Sequence, residues 1–585
     1  MMRFKGKVAH RFAENPLLQM RLPTWRSRLL GLLILGSFVV LIGRAFYLQV
    51  LNNDFLQEKG ESRYRRDIEI SASRGRIADR HGDVLAISTP MKSIWAVPQV
   101  ARLTPEQTVQ LATVLEMDPR QLAQRLDTEK TFVFLRRQIP PAVAERVAAL
   151  KLPGIGQDKE YRRFYPTGEM TAHMVGFTGV DDKGLEGVEL AFHGQLLGQP
   201  GSRSVIKDRR GQIVEDVGSI KLPQDGKEVR LALDSKIQYL AYSHLKQAIS
   251  DHKAAAGGVV VLDVRTGEIL ALANLPTYNP NNRDGLSGAQ LRNRAVTDTF
   301  EPGSTLKPFT IALGLESGKV RFDTIINCAP GRLTIGNRTI ADAHPHGALT
   351  VAEVIQKSSN VGSAKIAAML PSQKMWEMFD DVGFGQVPRL GFPGEVTGRV
   401  RPWKSWKPIE QATMAYGHGI SVSLIQLARA YSVFARDGDL VPLSLTRVES
   451  SMPHGATVFS PQTAHAVRVM LEMAVQPGGT APKAQIPGYR VAGKTGTAHK
   501  LEGGRYANKY VSSFVGFAPV SDPRLIIAVM IDEPRAGQHY GGAVAGPVFA
   551  AVMAGSLRTL GIAPDAPLVV AQTPKSTAPT VKARL

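Results

Sequence analysis

The chain is poor in cysteine: Cys328 is the single one among 585 residues. That excludes an intramolecular disulfide framework and any zinc or iron–sulfur site built on a cysteine cluster. The expectation for a lone thiol is inert, buried packing, because it behaves as a small apolar residue. Acids are also short, 51 Asp+Glu against 71 Lys+Arg, leaving a net charge of +20. An excess of that size calls for an anionic partner, whether nucleic acid, membrane or acidic polymer. After residue 51 the basic residues are scattered and form no run, which reads as a solvated surface. No fixed-period repeat is present, and no second apolar run reaches 18 residues. What the chain does have is 43% hydrophobic and 21% charged residues, enough to fold around cores. The length suggests about three domains.

Residues 1–28 hold seven basic residues (Arg3, Lys5, Lys7, Arg11, Arg21, Arg26, Arg28) and one acid, Glu14. An uncharged run follows from Leu29 to Gly43, Arg44 interrupts it, and AFYLQVL continues to Leu51. As a helix, residues 29–51 span about 34 Å, enough for a hydrocarbon core of ~30 Å. Arg44 can snorkel, and Tyr47 suits the interfacial belt. A cleaved signal peptide is the rival. The long basic flank and the apolar character after Arg44 favour an uncleaved anchor. The positive-inside rule then keeps 1–28 in the cytoplasm and puts everything after residue 51 outside it. This topology removes most nucleic-acid readings. Of the +20, residues 1–28 carry +6, residues 562–585 carry +2, and the remaining +12 lies largely on the external domains.

Residues 52–222 read as a pedestal or interaction module. LTPEQTVQLATVL and PPAVAERVAAL have helical spacing, with Thr104 as N-cap before Pro105. The glycine-dense stretch 163–211 suggests a β-rich, loop-rich fold. A composition change near Pro223 opens a second domain, 223–561. Residues 258–263 and 268–274 flank Arg265-Thr266-Gly267 as a hairpin, and residues 510–518 and 525–531 form another. Helical patterns lie between, clearest at Leu424–Phe434 and Thr463–Val475. The expectation is an α+β fold, an antiparallel sheet covered by helices. Residues 562–585, rich in Ala, Pro, Thr and Lys, read as a disordered tail.

Three short motifs carry chemistry. In Glu301-Pro-Gly-Ser304-Thr-Leu-Lys307-Pro308, a helix starting near Ser304 puts Ser304 and Lys307 on one face. A serine is a weak nucleophile until a base activates it, and a lysine can serve if its pKa is lowered. Pro308 cannot donate to the Ser304 carbonyl, so the first turn is irregular. Alone the pattern is weak: Ser-x-x-Lys also occurs at Ser204, Ser243 and Ser250. Ser358-Ser359-Asn360 supplies a hydroxyl for proton relay and a carboxamide for a peptide group. Gly493-Lys494-Thr495-Gly496-Thr497 supplies a cation and two hydroxyls suited to a carboxylate. The stretch Gly488–Thr495 also matches the P-loop pattern. It lacks the preceding apolar strand and following helix that a phosphate loop needs. In the order S-x-x-K, S-x-N, K-T-G the three form the signature set of class A β-lactamases and penicillin-binding proteins.

The whole chain resembles the class B penicillin-binding proteins, within them the FtsI type used in cell division. The resemblance rests on the catalytic set and on Arg44-Ala-Phe-Tyr-Leu-Gln-Val50, Arg74-Gly75-x-Ile77-x-Asp79-Arg80-x-Gly82 and Phe164-Tyr-Pro-x-Gly168. Ala172-His173, Gly184-x-x-Gly187-x-Glu189 and Tyr416-Gly-His-Gly-Ile-Ser421 extend it. It implies an elongated dimerisation-type pedestal and a serine β-lactamase-like transpeptidase domain. It also implies a peptidoglycan D,D-transpeptidase acylated by β-lactams. Ser304 is then the nucleophile, Lys307 the general base, Ser358 the proton relay and Lys494 an electrostatic residue. Asn360, Thr495, Gly496 and Thr497 bind substrate, and the N–H groups of Ser304 and Thr497 form the oxyanion hole. No cofactor and no metal are expected. The implied partners are D-Ala-D-Ala stem peptides, an acceptor amine, β-lactams, the membrane, and an FtsW-type glycosyltransferase with other divisome proteins. An elongation-type class B sibling is the runner-up. A β-lactamase is disfavoured, since no Glu-x-x-Leu-Asn segment lies between Ser358 and Lys494, although a carbamylated Lys307 stays open. A multi-pass β-lactam sensor and a non-catalytic division scaffold are weaker alternatives.

Overall fold

The computed structural model describes residues 23–51, 65–207, 213–449 and 453–567. Most of the basic segment expected at 1–28 and most of the tail expected at 562–585 lie outside the described residues. The chain divides into two compact units, Met1–Ile70 with Pro200–Pro223, and Ser71–Gln199 with Gln224–Leu585.

In the first unit, helix α1 (Thr24–Phe46) continues into a wider turn at Tyr47–Leu51. Its apolar side chains are exposed on all sides, Val40 by 70%. A helix whose apolar side chains are exposed all round is long and apolar enough to cross a membrane. It is the one candidate membrane span among the described residues, consistent with a single-pass anchor. The same unit contains a three-stranded antiparallel sheet of Arg65–Ile70, Gly201–Lys207 and Ile213–Lys221.

The second unit holds an antiparallel five-stranded sheet: β1 (Ala256–Asp263), β2 (Ile269–Leu275), β3 (Ala492–Glu502), β4 (Arg505–Ala518) and β5 (Leu525–Asp532). The spatial order is β2-β1-β5-β4-β3. Both faces are buried. Val259 and Val261 join Phe514 and Val529 in one core, while Val260 and Leu262 join Val515 and Ala528 in the other. This is why β1 and β5 read as unbroken apolar runs: side chains alternate with period two, but each face meets helices. Helices α2 (Ser235–Asp251) and Gly546–Thr559 supply Ile237, Leu245, Phe549 and Met553 to the first core. Helix α3 (Lys307–Glu316) supplies Phe309, and Leu424–Ala430 supplies Leu424 and Leu427, to the second. The expected helix at Leu424–Phe434 is interrupted at Tyr431, whose hydroxyl donates to the Thr305 carbonyl (2.8 Å).

The pedestal residues of this unit form a satellite core of Ile94, Leu111, Leu122, Leu135 and Val147. It lies between the strands Val84–Ala96 and Val133–Ile139 and the helices Pro105–Val114, Pro119–Leu126 and Pro141–Ala149. Thr104 caps the first of these helices in a capping box with Gln107. The glycine-dense stretch departs from expectation. Residues 172–196 form three short helical segments, not strands. Gly176, Gly184 and Gly187 serve close approach: a Cβ on Gly176, at φ +76°, would lie 1.9 Å from the Glu186 carbonyl oxygen. This packing buries Glu189, whose carboxylate accepts from Arg74 Nε and Arg163 Nε, both at 2.6 Å. Arg74 Nη2 also donates to the Glu189 carbonyl and Arg163 Nη2 to that of Gly75, both at 2.7 Å. Both guanidiniums share the Glu189 carboxylate, and backbone carbonyls take further donors, so no charge there is left without a partner.

Asp79 Oδ2 accepts from the Ser235 hydroxyl (2.7 Å), tying the Arg74–Gly82 motif to the start of α2. The sequence was expected to lose order from residue 562, yet Ile562 and Asp565 are anchored. The Ile562 carbonyl accepts from Tyr489 OH (2.6 Å), and the Asp565 carboxylate accepts from Arg490 N and Ser521 Oγ. Polar anchors of this kind leave no apolar period to read. Cys328 is fully buried in the second core, as a lone thiol should be.

Candidate active site

The irregular turn expected at Pro308 is a 3₁₀ turn, Gly303–Leu306, that hands over to α3. The Ser304 carbonyl, denied a donor by Pro308, accepts from the Lys307 N–H instead. Side chains three apart eclipse in a 3₁₀ turn. Lys307 Nζ accordingly stands 2.9 Å from Ser304 Oγ. It also lies 3.0 Å from Ser358 Oγ and donates to the Ser358 carbonyl. Ser358 ends helix α4 (Val351–Lys357) in the left-handed region, at φ 60° and ψ 41°. Ser359 caps helix α5 (Asn360–Ala367) by accepting from Gly362 N.

Strand β3 forms the opposite wall. Gly496 lies where a Cβ would meet Ser513 Oγ at 2.3 Å and the Pro302 carbonyl at 2.7 Å. Only glycine lets the strand come this close to the Ser304 turn. Gly417, at φ +84°, repeats the device: a Cβ there would lie 2.3 Å from the Gly303 carbonyl. The resulting groove, about 670 Å³, is lined by Ser304, Ser358, Asn360, Thr495 and Thr497, with Tyr416, His418 and His499. Gly496 shapes the wall from behind. Lys494 is fully buried, and its Nζ donates to Thr495 Oγ1 (3.2 Å) and the Thr495 carbonyl (3.4 Å), not to either serine. Thr497 Oγ1 accepts from Gly541 N (3.0 Å).

Burial dominates the electrostatics. It pushes Lys307 well below the ordinary lysine range, the nearby charge of Lys494 pushes it further, and Asp342 opposes both. Burial alone brings Lys494 down to about 7. His418 is held at about 4 by burial, then by Lys307 and His499, so it is neutral at pH 7. An amine within 3 Å of a hydroxyl, its pKa lowered, is placed to exchange a proton with it.

One residue of this arrangement escaped sequence reading. Asp342 accepts from Ser359 Oγ (2.8 Å), Asn360 N (2.5 Å) and Val361 N (2.9 Å), while Asn360 Nδ2 donates to the Ala341 carbonyl (2.8 Å). It clamps Ser359, Asn360 and Val361 at the start of α5. Nothing local in Ala341-Asp342-Ala343-His344 marks it. Asp342→Ala would orphan three donors and is expected to cost about 1–3 kcal/mol in urea unfolding. The acylation rate should fall with it, because the turn carries Ser358 and Asn360. Equal stability of variant and wild type would contradict the clamp.

The P-loop reading fails, since Gly493–Thr495 lie inside β3 and open no helix. Among the described residues no His, Cys, Asp or Glu group is placed to hold a metal ion.

Residues 257–554 match the penicillin binding protein transpeptidase domain family, and residues 69–231 the penicillin-binding protein dimerisation domain family. The chain is 45% identical over 540 residues to the probable peptidoglycan D,D-transpeptidase PenA of Neisseria gonorrhoeae, covering 91% of this chain and 92% of that one. It is 43% identical over 551 residues to the peptidoglycan D,D-transpeptidase FtsI of Escherichia coli strain K12, covering 93% of each. The apo transpeptidase domain of Burkholderia pseudomallei penicillin-binding protein 3 superposes with a TM-score of 0.54 at 48% identity, over 58% of this chain and 98% of that one. A peptidoglycan synthetase from Bifidobacterium adolescentis superposes with a TM-score of 0.69 at 26% identity, over 86% of this chain and 98% of that one. With both domain families in order and a serine–lysine–serine site between sheet and helices, the chain belongs to the class B penicillin-binding proteins of the FtsI and PenA type.

Proposed function

We propose that the chain cross-links septal peptidoglycan as a serine D,D-transpeptidase and that β-lactams acylate the same serine. The observation that carries this is Lys307 Nζ placed between Ser304 Oγ and Ser358 Oγ, at 2.9 and 3.0 Å. Neutral Lys307 takes the Ser304 proton as Oγ attacks the carbonyl between two terminal D-alanines. Ser358 passes a proton to the departing D-Ala nitrogen, and the C–N bond breaks to leave an ester on Ser304. An acceptor amine then attacks the ester, and its proton returns by the same path while Ser304 Oγ leaves. Asn360 holds the donor's peptide group. Thr495 and Thr497 hold its terminal carboxylate in the positive potential of Lys494, with Gly496 allowing the approach. The N–H groups of Ser304 and Thr497 stabilise the oxyanion.

The +6 flank and α1 support an inner-membrane, single-pass placement with residues 1–28 in the cytoplasm and the catalytic domain periplasmic. Domain limits of 52–222 for the pedestal and 223–561 for the transpeptidase follow the composition change. Likeness to FtsI supports a septal site and divisome partners, an FtsW-type glycosyltransferase among them.

With a pentapeptide donor and an acceptor amine, the detergent-solubilised chain should release one D-Ala per cross-link. Its double-reciprocal plots should be parallel, as a covalent intermediate requires. Intersecting lines, or D-Ala release without cross-links, would refute it. A fluorescent-protein fusion should form a band at the septum, and lateral-wall fluorescence would assign the elongation role instead.

A further inference from the structure

A cavity of about 410 Å³, sharing no lining residue with the acyl groove, opens between residues 173–190 and residues 278–394. The first stretch falls in the dimerisation family match and the second in the transpeptidase match. Leu291 and the buried Phe392 line it, and Leu185 and Leu190, 47% and 41% exposed, stand at its edge. Most of its polar side chains are already satisfied. Tyr278 OH donates to the Ala172 carbonyl (3.0 Å), Asn293 Nδ2 to the His173 carbonyl (3.2 Å) and Thr297 Oγ1 to the Asn293 carbonyl (3.0 Å). Arg292 is paired with Asp298 at 2.6 Å. Two groups are not satisfied. Among the described residues no donor bonds to the Glu186 carboxylate and no cation pairs with it, and burial raises its pKa. His173, 6% exposed, uses Nε2 to donate to the Gln290 carbonyl (2.7 Å). A carbonyl only accepts, so Nε2 carries the proton. Burial holds the ring at about 4, so it is neutral at pH 7. Nδ1 is then a bare acceptor, and among the described residues nothing donates to it.

The unmet demand of this cavity is for one positive charge and several hydrogen-bond donors, set among apolar side chains. We propose that it receives an arginine side chain from an extended segment of a partner protein, with apolar residues on either side of that arginine. A guanidinium carries five N–H donors and a permanent charge in a planar fork. The fork takes Glu186 in a charge-assisted pair and keeps donors for His173 Nδ1. Its aliphatic stem lies against Leu291 and Phe392, as long basic side chains lie along apolar surface. Leu185 and Leu190 cover the arginine's apolar neighbours, contacts that a free cation would leave in water, and this selects a peptide. Bound there, the segment touches the dimerisation-type and transpeptidase domains at once. The site lies outside the serine and lysine chemistry and does not depend on it.

The test uses three probes: N-acetyl-Leu-Arg-Leu-amide, the same peptide with uncharged citrulline in place of arginine, and N-acetylarginine amide. Binding to the detergent-solubilised full-length chain is read by saturation-transfer NMR. The wild type should bind the arginine peptide at least about tenfold more tightly than the citrulline peptide. Glu186→Gln should bring that ratio to within about twofold of unity. Leu185→Ser should weaken the arginine peptide while leaving N-acetylarginine amide unchanged. Ratios are taken between probes within one variant, so a folding loss cancels. Equal binding of the two peptides to the wild type, no binding of either, or an unchanged ratio in Glu186→Gln would overturn the assignment. N-acetylarginine amide binding as tightly as the arginine peptide would overturn the peptide occupant in favour of a free cation.

Discussion

Ser304→Ala is expected to take no covalent label from a fluorescent penicillin, on a gel or by intact mass. The hydroxyl is the only group in the proposed mechanism that can form the ester, and no neighbouring side chain substitutes for it. Ser358 Oγ, the other hydroxyl on Lys307 Nζ at 3.0 Å, has the proton-relay role in this mechanism. Reversible binding should survive, because Asn360, Thr495 and Thr497 are untouched. The fold should survive as well, with a change of about 1 kcal/mol or less, since Ser304 contributes one hydrogen bond to Lys307 that Ser358 also satisfies. A mutant that still labels at wild-type rate would remove Ser304 from the chemistry.

The second large effect is at Lys307. Lys307→Ala should slow acylation roughly a thousandfold, the range expected when a positioned base is lost. The pH profile of the wild type tests the same assignment with its sign. As pH falls through the depressed pKa of Lys307 the amine takes a proton, the base disappears and acylation slows. As pH rises past about 7, Lys494 loses its charge, and the potential that draws the substrate carboxylate weakens. The profile of kcat/KM should show an alkaline limb near 7, and acid pH should depress it through Lys307. Lys494→Arg keeps its charge across this range and should lose that limb. An alkaline limb retained in Lys494→Arg would show that another group sets it.

How much of this was legible before the fold was known differs by feature. The hairpin β1–β2 was legible because a turn, Arg265-Thr266-Gly267, sits between two apolar runs. The neighbour of β1 on its other side was not, for β5 comes about 260 residues later, and only the folded sheet brings Val261 opposite Ile527. Ser304 and Lys307 were readable as a local spacing, and their motif order carried the rest. Asp342 left no trace because its partners, Ser359 to Val361, are joined to it by the fold alone. The glycines between 163 and 211 were read as strand turns. Gly176, Gly184 and Gly187 instead make room for another backbone, and sequence does not distinguish a turn from an approach. The Glu301–Tyr506 contact is of the same kind: a hairpin tip returning to a turn two hundred residues away.

The backbone of Ser358 has a consequence for how this protein can change. A left-handed conformation costs a non-glycine residue about 1–2 kcal/mol, and at this position the cost accompanies the hydroxyl that faces Lys307. Glycine would relax the turn but forfeit the proton path. Fold stability and turnover therefore pull against each other at one side chain, and selection for a sturdier protein alone would erode the enzyme there first.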